Sequence, residues 1–205
     1  MGSGASNIWA QLAGWSAGEI TAVVFAILYL FLAIRENIWC WFCAGVSTTI
    51  YIGVYFGAKL YMESLLNVFY LVMAIYGWYV WRSGGSDSHL LPVVKWPIRV
   101  HLIAIAAIAT CVLASGYLLD TYTDAAFPYI DSATTFAAIW ATFLVARKVL
   151  ENWWYWLAID AVSVVIYWSR GLELTSILFV AYLAMIPFGL LSWTKSWHRN
   201  QQSVT

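Results

Sequence analysis

The stretch from Glu19 to Trp81 recurs, with weak identity, from Asp131 to Trp193, and this duplication restricts the chain to an arrangement of two like halves. It is clearest in the last segment of each half. Leu60, Ser64, Leu66, Val68, Tyr70, Leu71, Met73, Gly77 and Trp81 return as Leu172, Ser176, Leu178, Val180, Tyr182, Leu183, Met185, Gly189 and Trp193, always 112 residues on. The same offset pairs Glu19 with Asp131 and Arg35 with Arg147. In the middle, Glu36-Asn37-Ile38-Trp39-Cys40-Trp41 echoes Glu151-Asn152-Trp153-Trp154-Tyr155-Trp156 at an offset of 115, which predicts a small insertion in the second half. Repeats of this length in a membrane chain point to a carrier whose substrate lies between them.

A membrane chain is what the composition dictates. Only 10% of residues are charged and 63% are apolar, against about 25% charged in soluble domains. Fourteen tryptophans and thirteen tyrosines exceed what interfacial belts use, so some are expected to face inward. Net charge is zero, which gives no footprint for nucleic acid. Met1 to Ser6 is small and polar without a basic region, so no cleavable signal is expected. The chain shows no Walker loop, HExxH or G-x-S-x-G, and no cofactor is expected. Cys40-x-x-Cys43 lies in an apolar run with no second pair and reads as packing. His89, His101 and His198 lack ligand spacing, so no metal site is expected. An intramembrane enzyme would need a base beside Asp160, and none is evident, so the chain is read as not an enzyme. A purely structural membrane protein would explain the aromatic content but not a carboxylate beside paired tryptophans.

Spans of about twenty apolar residues are expected at 19–34, 38–57, 61–81, 98–118, 132–147, 152–169 and 173–194. The predicted fold class is an all-α membrane protein of seven transmembrane helices in a 3+1+3 arrangement. A first repeat spans 19–81, a linker helix 98–118 and a second repeat 131–194. The repeats lie an even number of spans apart and so run parallel. With the N-terminus outside, the inner segments hold Arg35, Arg82, Lys95, Arg99, Arg147, Lys148, Lys195 and Arg199, and the outer ones only Lys59 and Arg170. This bias predicts a cytoplasmic C-terminus; an inner membrane is the expected location.

Ionisable groups within a bilayer carry a cost of roughly 2.5–3.5 kcal/mol on insertion scales, so each calls for a reason. Glu19, Glu63 and Asp131 sit at span ends and read as solvated or helix-capping carboxylates. Asp160 lies deep in the sixth span. Trp153, Trp156, Asp160, Ser163 and Tyr167 fall on one helical face, beside Asn152. Two rings next to a carboxylate suit a flat cation, though a tryptophan belt near the inner surface explains the rings equally well. Asn67 and Tyr70 share a face of the third span, where they either meet a ligand or bond between helices. Gly53-x-x-x-Gly57 reads as a close-packing motif.

Together the Arg35–Trp41 stretch, Leu60-Tyr61 followed by Asn67-Val68-Phe69-Tyr70, Tyr76-Gly77-Trp78-Tyr79-x-Trp81, and Ala146-Arg147-Lys148 running into Glu151-Asn152-Trp153 and Trp156 resemble the PnuC-type vitamin transporters over nearly the whole chain. The resemblance implies a duplicated, SWEET-related fold and facilitated diffusion of an unphosphorylated vitamin. It also implies trapping of that vitamin by a cytoplasmic kinase, a homo-oligomeric (trimeric) assembly, and a substrate site at Trp153, Trp156, Asn67 and Tyr70. Among the vitamins the family carries, Asp160 inclines the reading to thiamine, whose thiazolium and aminopyrimidine amine both suit a carboxylate. Nicotinamide riboside is the alternative. Riboflavin, neutral and larger, suits the site least.

Overall fold

The structure, a computed structural model, describes residues 14, 16–57, 61–83, 91–124 and 127–202. The expected breaks at 58–59 and 84–87, and His89, lie outside them. Among the described residues seven long helices run in order: α1 (Ala17–Ile34), α2 (Trp39–Gly57), α3 (Tyr61–Ser83), α4 (Ile98–Tyr122), α5 (Pro128–Ala146), α6 (Asn152–Ser169) and α7 (Glu173–Gln202). The chain is thus an all-α membrane protein. Of these helices, six are long and apolar enough to cross a bilayer. The exception is α6, an 18-residue helix whose Asn152, Asp160, tryptophans and tyrosines lower its hydropathy. The same residues made it the candidate ligand helix.

The ends are set by local chemistry. Ser16 caps α1 with a reciprocal box: its hydroxyl accepts from the Glu19 N–H at 3.2 Å, and the Glu19 carboxylate accepts from the Ser16 N–H at 2.7 Å. Glu19 is therefore a capping residue. Pro128 opens α5 at the position where a missing N–H costs nothing, so α5 begins four residues before its expected start. The segment after residue 118, expected to lie between spans, is helical through Tyr122, with Asp120 inside α4. Past Trp193, α7 continues to Gln202, where Trp197 is covered by the Lys95 ammonium at 4.1 Å.

Packing divides the helices into two sets. α1 contacts α2 and α2 contacts α3; α5 contacts α6 and α6 contacts α7. The sets meet where α3 packs on α5 and α7 on α1, while α4 leans on α5. Contacts within and between the sets recur 112 residues apart. The Ser64 hydroxyl donates to the Ile52 carbonyl and the Ser176 hydroxyl to the Val164 carbonyl. Trp41 meets Trp81 edge-on at 5.5 Å, and Trp153 meets Trp193 at 5.5 Å. A Cβ on Gly77 would run into the Trp41 ring, and one on Gly189 into the Trp153 ring. These pairs correct the expected register. Trp41 is matched by Trp153, not by Trp156, so the offset of 112 holds throughout and no insertion precedes α6. Gly53 and Gly57 are also reassigned: nothing lies within 4 Å of where a Cβ would stand on either, so they are not a close-packing motif.

Both sets turn in the same way after their first helix. Glu36 and Lys148 adopt φ of 54° and 49° at equivalent positions. At each turn the chain makes the same two backbone bonds, Glu36 N to Ala33 O and Asn37 N to Leu32 O, then Lys148 N to Val145 O and Val149 N to Leu144 O. The two side chains then pair across the molecule at 2.9 Å, with Lys148 1% exposed and its ammonium 4.5 Å above the Trp81 ring. Removing one member of a buried pair strands the other charge, a loss of roughly 3–5 kcal/mol, whereas replacing both by apolar groups is often neutral. Glu36→Gln should therefore lower the melting temperature in detergent, and Glu36→Leu combined with Lys148→Met should restore most of it. Equal melting of the single and double variants would contradict this.

Candidate functional site

Between the two sets lies a cavity of about 440 Å³, lined from every helix except α4. That size falls in the range of pockets that hold drug-sized ligands, roughly 300–1,000 Å³. α1 contributes Tyr29, Leu30 and Ala33; α2 contributes Trp41, Thr48, Tyr51 and Tyr55; α3 contributes Glu63, Leu66, Asn67 and Tyr70. From the other set come Thr142 and Val145 on α5, Asn152, Trp153, Trp156, Asp160 and Tyr167 on α6, and Thr175, Leu178, Phe179 and Tyr182 on α7.

Seven of the eight expected site residues line this cavity: Trp153, Trp156, Asp160, Asn67, Tyr70, Asn152 and Tyr167. Ser163 does not. It is buried at 5% exposure outside the cavity lining: Asp160 and Tyr167, seven residues apart, stand nearly in line on α6, and Ser163 lies to one side of that line. The residues differ in environment. Trp153 is 2% exposed and forms the floor against Gly189 and Trp193, whereas Trp156 is half-buried. Tyr167 stacks on Phe179 at 5.2 Å. The Asn67 amide nitrogen donates to the Glu63 carbonyl at 2.9 Å, one turn back.

Polar capacity in the cavity is unequally used. The indole N–H groups of Trp41 and Trp153 and the side-chain oxygen of Asn152 are buried without a hydrogen-bond partner, while the Asn152 amide nitrogen donates to the Val149 carbonyl at 2.7 Å. A buried donor or acceptor left unmet costs about 1–3 kcal/mol, and these three groups are the unsatisfied polar atoms of the lining residues. Asp160 is 4% exposed and has no cationic partner among the described residues. Glu63, exposed at the start of α3, is the second carboxylate of the lining. No lysine or arginine lines the cavity among the described residues. Asp131, by contrast, is neutralised at the rim by Arg170 at 2.7 Å.

Several lining residues absent from the expected site are its mates under the repeat. Subtracting or adding 112 converts Trp153, Asp160, Ser163 and Tyr167 into Trp41, Thr48, Tyr51 and Tyr55, and Asn67 and Tyr70 into Phe179 and Tyr182. All six line the cavity. The signal was thus present in the duplication itself, obscured on α2 by the false offset of 115.

With this geometry in hand, comparison with known proteins is decisive. The family model described as nicotinamide mononucleotide transporter matches residues 16–195. The chain belongs to this PnuC family. It is 25% identical over 203 residues to the nicotinamide riboside transporter PnuC of Escherichia coli, covering 87% of this chain and 85% of that one. It is 27% identical over 202 residues to the riboflavin/roseoflavin transporter RibM of Streptomyces davaonensis, covering 96% and 90%. The crystal structure of the vitamin B3 transporter PnuC superposes with a TM-score of 0.70 over 96% of this chain and 91% of that one, at 21% identity. The chain is therefore a multi-pass membrane vitamin transporter and not an enzyme, and it shares the PnuC fold.

The two tryptophans of the predicted pair should separate on substitution. Trp156→Ala should weaken ligand binding by about 1–2 kcal/mol, the scale of a desolvated cation–π contact, with little effect on melting. Trp153→Ala should first lower the melting temperature, because removing a fully packed Trp costs about 3–5 kcal/mol. Calorimetric affinity and thermal melting on the same two purified variants distinguish these outcomes.

Proposed function

We propose that this protein carries an unphosphorylated, cationic vitamin by facilitated diffusion, with nicotinamide riboside as the substrate. The observation that supports a cation is the lining: two carboxylates, Asp160 and Glu63, no basic side chain among the described residues, and ten aromatic rings. A flat cationic ring gains stacking, cation–π attraction and charge pairing there together. A neutral isoalloxazine gains only the first, although RibM shows that a relative of this chain transports riboflavin. The expectation of thiamine gives way for two reasons. The family relatives named above carry nicotinamide riboside or riboflavin. Moreover, the unmet Trp41 and Trp153 donors and the Asn152 acceptor suit a ribose with several hydroxyls better than thiamine with one. Thiamine keeps the second place, because Asp160 serves either cation.

In this reading the repeats at 19–81 and 131–194, joined by the linker helix 98–118, rock about the cavity. The basic helix ends face the cytoplasm, the active assembly is a homotrimer, and a cytoplasmic kinase traps the vitamin. A phosphate dianion finds no cation in the cavity and is costly to bury there. Calorimetry with purified protein should rank nicotinamide riboside above thiamine and both above riboflavin; riboflavin binding most tightly would overturn the cationic assignment. Asp160→Asn should weaken binding of the riboside by about ten- to hundredfold, the scale of a lost charge-assisted hydrogen bond. In liposomes, uptake of the free riboside should stop at the external concentration and the phosphorylated form should be refused. Accumulation beyond equilibrium, or equal uptake of the mononucleotide, would contradict the mechanism.

A further inference from the structure

Outside the substrate cavity, the linker helix α4 stands apart from α3. It packs on α5 and reaches α6 through His101, whose ring nitrogen lies 3.1 Å from the Tyr155 hydroxyl, while α3 packs on α5 beside it. The three helices enclose a slot of about 580 Å³ lined only by apolar side chains, among them Phe69 and Met73 on α3, Ile103 and Ala107 on α4, and Phe136 and Phe143 on α5. The slot lies along helices long and apolar enough to cross a bilayer.

One end of the slot is cationic. Arg99, one turn before Ile103 and on the same face of α4, is exposed. Arg147, at the end of α5, is also exposed and donates to the Tyr76 hydroxyl at 3.4 Å. Tyr76 in turn stacks on the slot-lining Phe143 at 6.3 Å. Neither arginine has a carboxylate partner among the described residues. The nearby Glu151 is already engaged, accepting from the Trp96 N–H at 3.3 Å and facing His101 at 3.9 Å. The Trp96 ring closes the same end, 6.1 Å from Trp140 and 6.1 Å from Phe143.

We propose that this slot binds an anionic phospholipid, with an acyl chain between α3, α4 and α5 and the headgroup phosphate on Arg99 and Arg147. Basic pockets between helices at one membrane face bind such headgroups, and an indole at headgroup depth is the usual companion. Charge decides against a second copy of the chain as occupant. Copies inserted in the same direction set their basic ends at the same level, so a neighbour would bring further cations to this mouth, whereas a phosphate neutralises it. Lipid in the slot supplies α4 with the packing against α3 that the protein itself does not make.

The test uses full-length protein in mild detergent, titrated with phosphatidylglycerol or phosphatidylcholine and followed by native mass spectrometry. Phosphatidylglycerol should bind tighter. Arg99→Gln with Arg147→Gln should weaken it by roughly thirtyfold and leave phosphatidylcholine unchanged, while Ala107→Trp should reduce both. Cys111, an exposed free thiol on the slot wall, reports occupancy without any substitution: its maleimide labelling should slow on adding phosphatidylglycerol. Equal binding of the two lipids, or unchanged phosphatidylglycerol binding in the double variant, would overturn the proposal. So would Cys111 labelling that follows the oligomeric state instead of lipid. Riboside affinity measured on the same samples keeps this outcome separate from the transport reading.

Discussion

Two hydrogen bonds cross the centre of the molecule in opposite directions. The Trp81 indole donates to the Val145 carbonyl at 3.3 Å, and the Trp193 indole donates to the Ala33 carbonyl at 2.9 Å. Donor and acceptor are both displaced by 112, so each helix set closes the other. The two rings lie 6.2 Å apart, and each is braced edge-on by a tryptophan of its own set. Val145 and Ala33 are also cavity-lining residues. The floor beneath the substrate space is thus made of the bonds that join the halves. Each bond is worth only about 1 kcal/mol net.

Pseudo-symmetry builds the cavity, and departures from symmetry give it chemistry. At four paired positions the two sets present like residues: Trp41 and Trp153, Tyr55 and Tyr167, Leu66 and Leu178, Tyr70 and Tyr182. At others they differ. Thr48 faces the space where its mate is Asp160, Ala44 where its mate is Trp156, and Asn67 where its mate is Phe179. The second set therefore holds the inner carboxylate and the additional indole together with the Asn152 amide, and the first holds the Asn67 amide and Glu63. A ligand with a cationic ring has one good orientation in such a space. Rotating it about the pseudo-axis would set the ring against Thr48 and Ala44.

Much of this was legible in the sequence, for identifiable reasons. Apolar runs bounded by charged breaks located the helices, because hydrocarbon leaves the backbone no partner but itself. Asp160 and Trp156 stood out because a carboxylate or a large aromatic on a span of moderate hydropathy needs an occupant. The role of Tyr29 was not legible. It is one of thirteen tyrosines, and it is the packing of α1 on α2 that brings it to the cavity, 6.0 Å from Trp41. Ser163 lies outside the lining because a helical stripe predicts a face, while the cavity meets only part of that face. The register of α2 against α6 was misread because Glu-Asn-x-Trp is a stronger textual echo than the contacts of Trp41 and Trp153, which reside in the glycines they pack on.

The turn after the first helix of each set holds a residue of opposite charge, Glu36 in one and Lys148 in the other, at positions 112 apart and in contact across the axis. Two copies of the first half, paired about that axis, would press carboxylate against carboxylate in a site almost closed to water. Two copies of the second would press ammonium against ammonium. Neither half can replace the other as its own partner. A symmetric shape is held shut by an antisymmetric charge, and the fused chain has become, at that one contact, a heterodimer in a single polypeptide.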